Sequence, residues 1–411
     1  MTTFVIKWLG GTALCLALLL QLTSCDVLFG KKDDATIDEI FTEGSIDPAL
    51  FPNQVGYVPV QPFWNYFNQP VDVFVGYDEM IYVVDADGLK ILDQKGTLQR
   101  TVFIDGATDV TQDRRLHTYV TARVNRVVSG VTYNLPAVYH LSNTSVADGP
   151  LFIDTIVHPF SDVSRNNTVF RGAADEAVRF TGLATLADNT LYVSRTGPTN
   201  DPASLSRPDN AVLFFDESGN NIGFTFGASA TVSNLKSVLQ PEAIATFAAP
   251  PQTLSGVSAS RDLLVAQGSP AAEFKVLWLK ETFDPDAGSV FGENAALAQA
   301  DFTKADRFLY MPNRFSHPAD VYAATDGSGY IFVVDSEKDS LYQFTRLGQE
   351  GVNPPANSGI TKQIIASFGG SGSGPFNFSA PSGVCYFKKT VYVADKNNNR
   401  ICRYKLSTDV E

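Results

Sequence analysis

One pattern recurs six times along this chain, and it constrains the fold more than any other feature. Each copy opens with a small residue and a branched aliphatic, passes through a turn, and continues into an aliphatic-aromatic-Val run. The openings are Pro70-Val71-Asp72-Val73, Ala107-Thr108-Asp109-Val110, Phe180-Thr181-Gly182-Leu183, Pro241-Glu242-Ala243-Ile244, Pro318-Ala319-Asp320-Val321 and Pro381-Ser382-Gly383-Val384. The runs that follow include Ile81-Tyr82-Val83, Leu191-Tyr192-Val193, Ile331-Phe332-Val333 and Val391-Tyr392-Val393. Third runs such as Leu341-Tyr342-Gln343-Phe344 lead into turns of the kind Asp93-Gln94-Lys95-Gly96. Short β-branched and aromatic stretches between Asp, Asn and Gly turns are hairpin signals, and no long amphipathic helix recurs between them. A repeated antiparallel unit cannot bury its own faces, so neighbouring units must stack.

The last two copies resemble NHL repeats. Phe368-Gly369-Gly370, then Pro381-Ser382-Gly383-Val384, then Val391-Tyr392-Val393-Ala394-Asp395-Lys396-Asn397-Asn398-Asn399-Arg400-Ile401 follow that family's order. The resemblance implies an all-β, six-bladed propeller of four-stranded antiparallel blades, spanning residues 48–411. The final copy runs out one strand early, so residues 55–64 are expected to return as its missing outer strand and close the ring. Seven blades is the structural alternative, with residues 124–180 hiding a further unit.

The amino end reads as an export signal. Lys7 precedes an apolar run over residues 8–22, too short to span a bilayer, which ends in Leu22-Thr23-Ser24-Cys25. That motif is similar to a bacterial lipobox. It implies cleavage of residues 1–24, lipidation of Cys25, and a polar tether over residues 25–47 that holds the body on a membrane. The expected location is the cell envelope, most plainly the outer membrane of a Bacteroidetes-like lipoprotein. The chain carries 44 Asp and Glu against 31 Lys and Arg, a balance that excludes nucleic acid as a partner. Cys385 and Cys402 fall on the first and third strands of one blade, too far apart for a disulfide, so both are expected as buried thiols.

Candidate chemistry gathers at two places. Asp72, Asp109 and Asp320 occupy equivalent positions at three inner strands, so pseudo-symmetry aims them at one level of the channel. Three converging carboxylates repel one another unless a cation or raised pKa values relieve them, and oxygen ligands of this type suit Ca²⁺. The competing reading is structural, with each Asp bonded to neighbouring amides. Trp64, Tyr66, Arg314, His317 and Phe376 lie in connections expected on the ligand face, where aromatic rings would suit a glycan or peptide. Packing is the competing role for those rings. Amidating lyases of this fold hold zinc with His, whereas His117, His140, His158 and His317 are too scattered in the repeat to form such a site. Gluconolactonase-like propellers use Glu, Asn and Asp, which Glu242 and the three Asp residues could imitate. The function expected from the sequence is therefore a non-catalytic binding or scaffold module for an envelope protein, peptide or glycan. The alternative is a metal-dependent lactonase, hydrolase or lyase acting in the channel.

Overall fold

The computed structural model describes residues 55–163, 170–199, 209–225, 239–250, 259–285 and 288–410. Cys25, the export signal and the tether lie outside them. Six four-stranded antiparallel sheets form six blades. The first described strand, β1 (Tyr57–Pro59), belongs to the last blade and is treated with it below. Blade one contains β2 (Asp72–Val75), β3 (Ile81–Asp85), β4 (Gly88–Leu92) and β5 (Leu98–Val102). Blade two contains β6 (Val110–Gln112), β7 (Thr118–Val128), β8 (Val131–Ser142) and β9 (Leu151–Val157), followed by the short helix α1 (Ala173–Glu176). Blade three holds β10 (Arg179–Thr185) to β13 (Asn221–Thr225), and blade four holds β14 (Pro241–Thr246) to β17 (Gly288–Glu293). Blade five holds β18 (Pro318–Ala323) to β21 (Phe368–Gly369). Blade six holds β22 (Pro381–Phe387), β23 (Thr390–Asp395) and β24 (Arg400–Leu406), and β1 is its outermost strand.

The ring closes as the missing strand required. Tyr57 pairs with Leu406 and Pro59 with Tyr404, and Trp64 bridges to Ile401. The Tyr57 hydroxyl also donates to Gln343 Oε1 of blade five at 2.7 Å, so the amino-terminal strand fastens two blades. The alternative of seven blades fails. Residues 124–157 are the long second and third strands and the outer strand of blade two, and no further sheet is hidden there.

Middle strands are continuous apolar runs because each sheet is covered on both faces by its neighbours. β3, β12 (Ala211–Phe215) and β19 (Ile331–Asp335) are buried at every position. The outer strand β5 begins exposed. Phe332 is fully buried and stacks on Tyr386 of blade six, ring centroids 5.1 Å apart. Truncating such a ring to Ala costs about 3–5 kcal/mol. The turns work by side-chain capture: Asp93 Oδ1 accepts from Lys95 N and Thr97 N, and Asp216 Oδ1 from Ser218 N and Asn220 N. In the NHL-like stretch, Asp395 accepts from Ser379 N, Asn398 and Arg400, while Asn399 takes a left-handed φ of 55°. Cys385 and Cys402 sit on β22 and β24, both buried and free.

Candidate functional site at the channel mouth

The six inner strands meet around the channel at one equivalent position, occupied in turn by Asp72, Asp109, Gly182, Ala243, Asp320 and Gly383. Where this residue is Asp, its carboxylate reaches the next blade. Asp72 Oδ2 accepts from Val110 N at 2.9 Å, Asp109 Oδ1 from Leu183 N at 3.1 Å, and Asp320 Oδ2 from Val384 N at 2.7 Å. Asp72 and Asp320 use the other oxygen on their own following amides, Val73 N and Val321 N, each at 2.7 Å. Where the residue is Gly, the blades meet backbone to backbone. A Cβ on Gly383 would stand 2.7 Å from Asp72 Cα, and one on Gly182 would stand 2.8 Å from Ile244 N.

A second ring lies one residue earlier. The hydroxyls of Thr108, Thr181 and Ser382 donate to Phe180 O, Pro241 O and Pro70 O of the following blade. Between them, carboxylates and hydroxyls tie every seam except that between blades four and five. There, among the described residues, Glu242 and Ala243 reach no neighbouring backbone, and bonds are made at the opposite end. The connection after β14 carries residues 248–250 across the axis, where Tyr77 of blade one donates to Ala248 O. From blade five, Tyr322 donates to Pro250 O at 2.7 Å and Thr325 donates to Ala249 O. Blade four stands opposite blade one in a six-membered ring, so this segment crosses the far end of the channel.

The channel is narrow at this end. Between the crossing segment and the Asp level lies a cavity of about 40 Å³, lined in part by Phe74, Ala249 and Tyr322. On the other side, where the inner strands begin, it opens into a cavity of about 340 Å³. Its polar lining is Asp72, Asp109, Asp320, Glu242, Arg123, Arg179 and His317 with the three hydroxyls, and Val71, Pro136 and Phe180 add apolar wall. Arg123 is already committed, donating to Asn134, Val178 O and Glu176 O. Arg179 is more than half exposed and meets Glu242 only at 3.7 Å, which leaves both side chains ready to engage a ligand.

Burial dominates the acids. It lifts Asp72 to about 7 against the opposing pull of the Val110 and Val73 amides. Asp109 is lifted by burial and then by the charges of Asp72 and Asp320, and Asp320 by burial and the charge of Asp72. The three carboxyls thus share one level, as pseudo-symmetry implied, and burial and mutual repulsion raise the pKa of each. Both oxygens of Asp72 and of Asp320 accept from backbone amides, as does one oxygen of Asp109. Among the described residues no three His, Cys, Asp or Glu side chains are grouped to hold a metal ion.

The aromatic candidates do not line the mouth. Trp64 is buried against Tyr392, with the Arg403 guanidinium 4.4 Å above its ring. Tyr66 donates to Gly96 O and packs on Phe67. Phe376 sets its edge on Phe368 at 5.7 Å. These rings cover the closing blade, because the returning amino-terminal segment needs apolar cover for its new edge. Arg314 forks onto Glu350 at 2.9 and 2.6 Å and lies over Tyr342, away from the channel. Of that group only His317 reaches the mouth. His117 and His140 bond each other at 2.9 Å within blade two, and His158 is buried beside Asp162 and Asp175. Residues 279–293 form the outer hairpin of blade four. Sequence reasoning missed Arg123 and the crossing segment; the overlong β-run at residues 118–142 was the available signal for the first.

The NHL repeat matches residues 378–404, which hold β22, β23 and most of β24 of blade six. No curated protein matches the sequence. Among solved structures, a protein of unknown function from Bacteroides thetaiotaomicron VPI-5482 is 11% identical with a TM-score of 0.46, covering 86% of this chain and 72% of that one. A streptogramin B lyase is 8% identical with a TM-score of 0.41, covering 85% and 98%. The PQQ-bound aldose sugar dehydrogenase of Streptomyces coelicolor is 10% identical with a TM-score of 0.46, covering 86% and 99%. Likeness at this level carries no argument about what the chain does.

Proposed function

We propose that this six-bladed propeller, with an NHL repeat in its closing blade, is a non-catalytic binding module. It takes an envelope protein, peptide or glycan at the channel mouth. The observation that carries the reading is the open mouth cavity. Its three Asp carboxyls are already bonded to backbone amides, while Arg179, Glu242 and His317 stand around an open cavity of about 340 Å³. A volume of that size suits a small ligand or the end of a larger one. In this reading the lipid on Cys25 holds the body at the outer membrane, and the acidic chain takes no nucleic acid.

The test is binding of glycan and peptide panels to the wild type, Arg179→Ala and Glu242→Gln, with lactone and ester turnover measured in parallel. A ligand held by the wild type and lost in both variants supports the reading. A panel without any ligand counts against it, and turnover abolished by Asp72→Asn replaces it with a hydrolase. Cys25→Ser tests the anchor, since it moves the protein from the membrane to the soluble fraction.

A further inference from the structure

Blade two is built differently from the others. Its second and third strands, β7 and β8, are 11 and 12 residues long, whereas the second strands of the other blades have 5 or 6. The inner strand β6 pairs with β7 only from Val110↔Val120 to Gln112↔Thr118. Above Arg123 β7 has a partner on one side alone among the described residues, and the pair rises as an arm beside the mouth. Ala122, Arg123 and Pro136 at its base line the mouth cavity.

The turn fixes which amides face outward. Ser129 and Gly130 both have left-handed φ values, 50° and 82°, the signature of a two-residue hairpin whose flanking residues, Val128 and Val131, exchange hydrogen bonds. Alternation then turns Val124, Arg126 and Val128 toward β8 and turns Arg123, Asn125 and Val127 to the channel-side edge. Two bonds bear this out: Thr121 N donates to Asp109 O at 3.1 Å and Arg123 N to Asp105 O at 2.8 Å. Higher up, the amides of Asn125 and Val127 have no partner among the described residues. They stand about 7 Å apart along the strand, the repeat an added strand requires.

The arm is braced from behind. Asn134 N donates to Glu176 Oε1 at 2.7 Å, Arg123 donates to Glu176 O at 2.6 Å, and Tyr133 packs edge-on against Phe170 at 4.8 Å. A rigid open edge loses little conformational entropy on pairing. At its foot the cavity gathers Glu242 and the buried carboxyls of Asp72, Asp109 and Asp320, whose ionised form a neighbouring cation would favour, against Arg179 and an Arg123 already committed to carbonyls.

Resting on the reading of the mouth as a binding site, we propose that the ligand is an extended peptide bearing an ammonium group. Its backbone adds as a strand to β7 at Asn125 and Val127, and its amino end or a lysine side chain lies among the acids of the mouth. The edge supplies affinity through main-chain bonds, and the acids select the positive group.

The experiment uses the full chain in detergent micelles and hexapeptides of alternating Thr and Val labelled at the carboxyl end. One begins with lysine and a free amino end, one with an acetylated lysine, one with an acetylated glutamate. A fourth repeats the first with alternate backbone nitrogens methylated. Anisotropy is expected to show the first two bound, the third at least tenfold weaker, and the methylated peptide at least tenfold weaker than its parent. Val127→Pro removes one outward N–H without touching the β8 ladder and is expected to weaken the parent peptide by a similar factor, with unchanged melting. Glu242→Gln is expected to weaken the lysine peptide. Equal binding of parent and methylated peptides by the wild type, or capture of none, overturns the proposal. Loss in Glu242→Gln with binding intact in Val127→Pro overturns the strand addition and leaves the mouth as the site. A glycan held there while every peptide fails overturns the peptide and not the binding role.

Discussion

Asp72 offers the sharpest test of how the channel is held together. Burial raises its carboxyl from 3.8 to about 7, although the amides of Val110 and Val73 favour the anion. An acid raised in the fold keeps its proton there at pH values where the unfolded chain has lost it. Its contribution is therefore fully present at and below about pH 4 and is lost as pH rises toward the folded value near 7. A preference of roughly a thousandfold, at about 1.4 kcal/mol per factor of ten, sets a ceiling of about 4 kcal/mol. Asn at this position cannot ionise, so Asp72→Asn removes the pH term. It also sets an amide N–H₂ against Val110 N–H, at about 1–3 kcal/mol for the unsatisfied donor. Urea unfolding of both proteins at a series of pH values should show the variant less stable in acid. The gap should then narrow or reverse by up to about 4 kcal/mol between about pH 4 and 7, flattening above. Curves that stay parallel across that window would refute the reasoning, because they would mean that Asp72 ionises in the fold as easily as in the unfolded chain.

Four further outcomes follow from the same structure. Adding Ca²⁺ should leave the melting temperature unchanged; a rise that disappears in Asp72→Asn/Asp320→Asn would mean the carboxylates do take a cation. Asp320→Ala should cost about 1–3 kcal/mol in urea unfolding, since Val384 N loses its acceptor across the seam between blades five and six. Tyr57→Phe should cost about 1–2 kcal/mol, because it leaves Gln343 Oε1 buried without its donor and loosens the closing strand. Burial pushes both Cys385 and Cys402 up to about 12, so neither should react with iodoacetamide in the native protein at pH 8, and both should react in urea.

Sequence alone determined the repeat, the order of strands within each blade and the return of residues 55–64 to the last one, while the structure chose six blades over seven. These are legible because they rest on local chemistry. Apolar runs of strand length, Asp-led turns such as Asp93–Gly96 and a repeat left one strand short all lie within a few residues of one another. The shared level of Asp72, Asp109 and Asp320 followed from the same repeat. What those carboxyls do was decided only by the tertiary structure, since their amide partners Val110, Leu183 and Val384 lie 38, 74 and 64 residues away. The same holds for residues 248–250, bonded by Tyr77 from the blade opposite, and for the rings of Trp64 and Tyr66, drawn to the closing edge rather than the mouth. A periodic sequence specifies units that must stack. Which side chains then face a seam, a cavity or a neighbour depends on distances between blades, and no single repeat contains them.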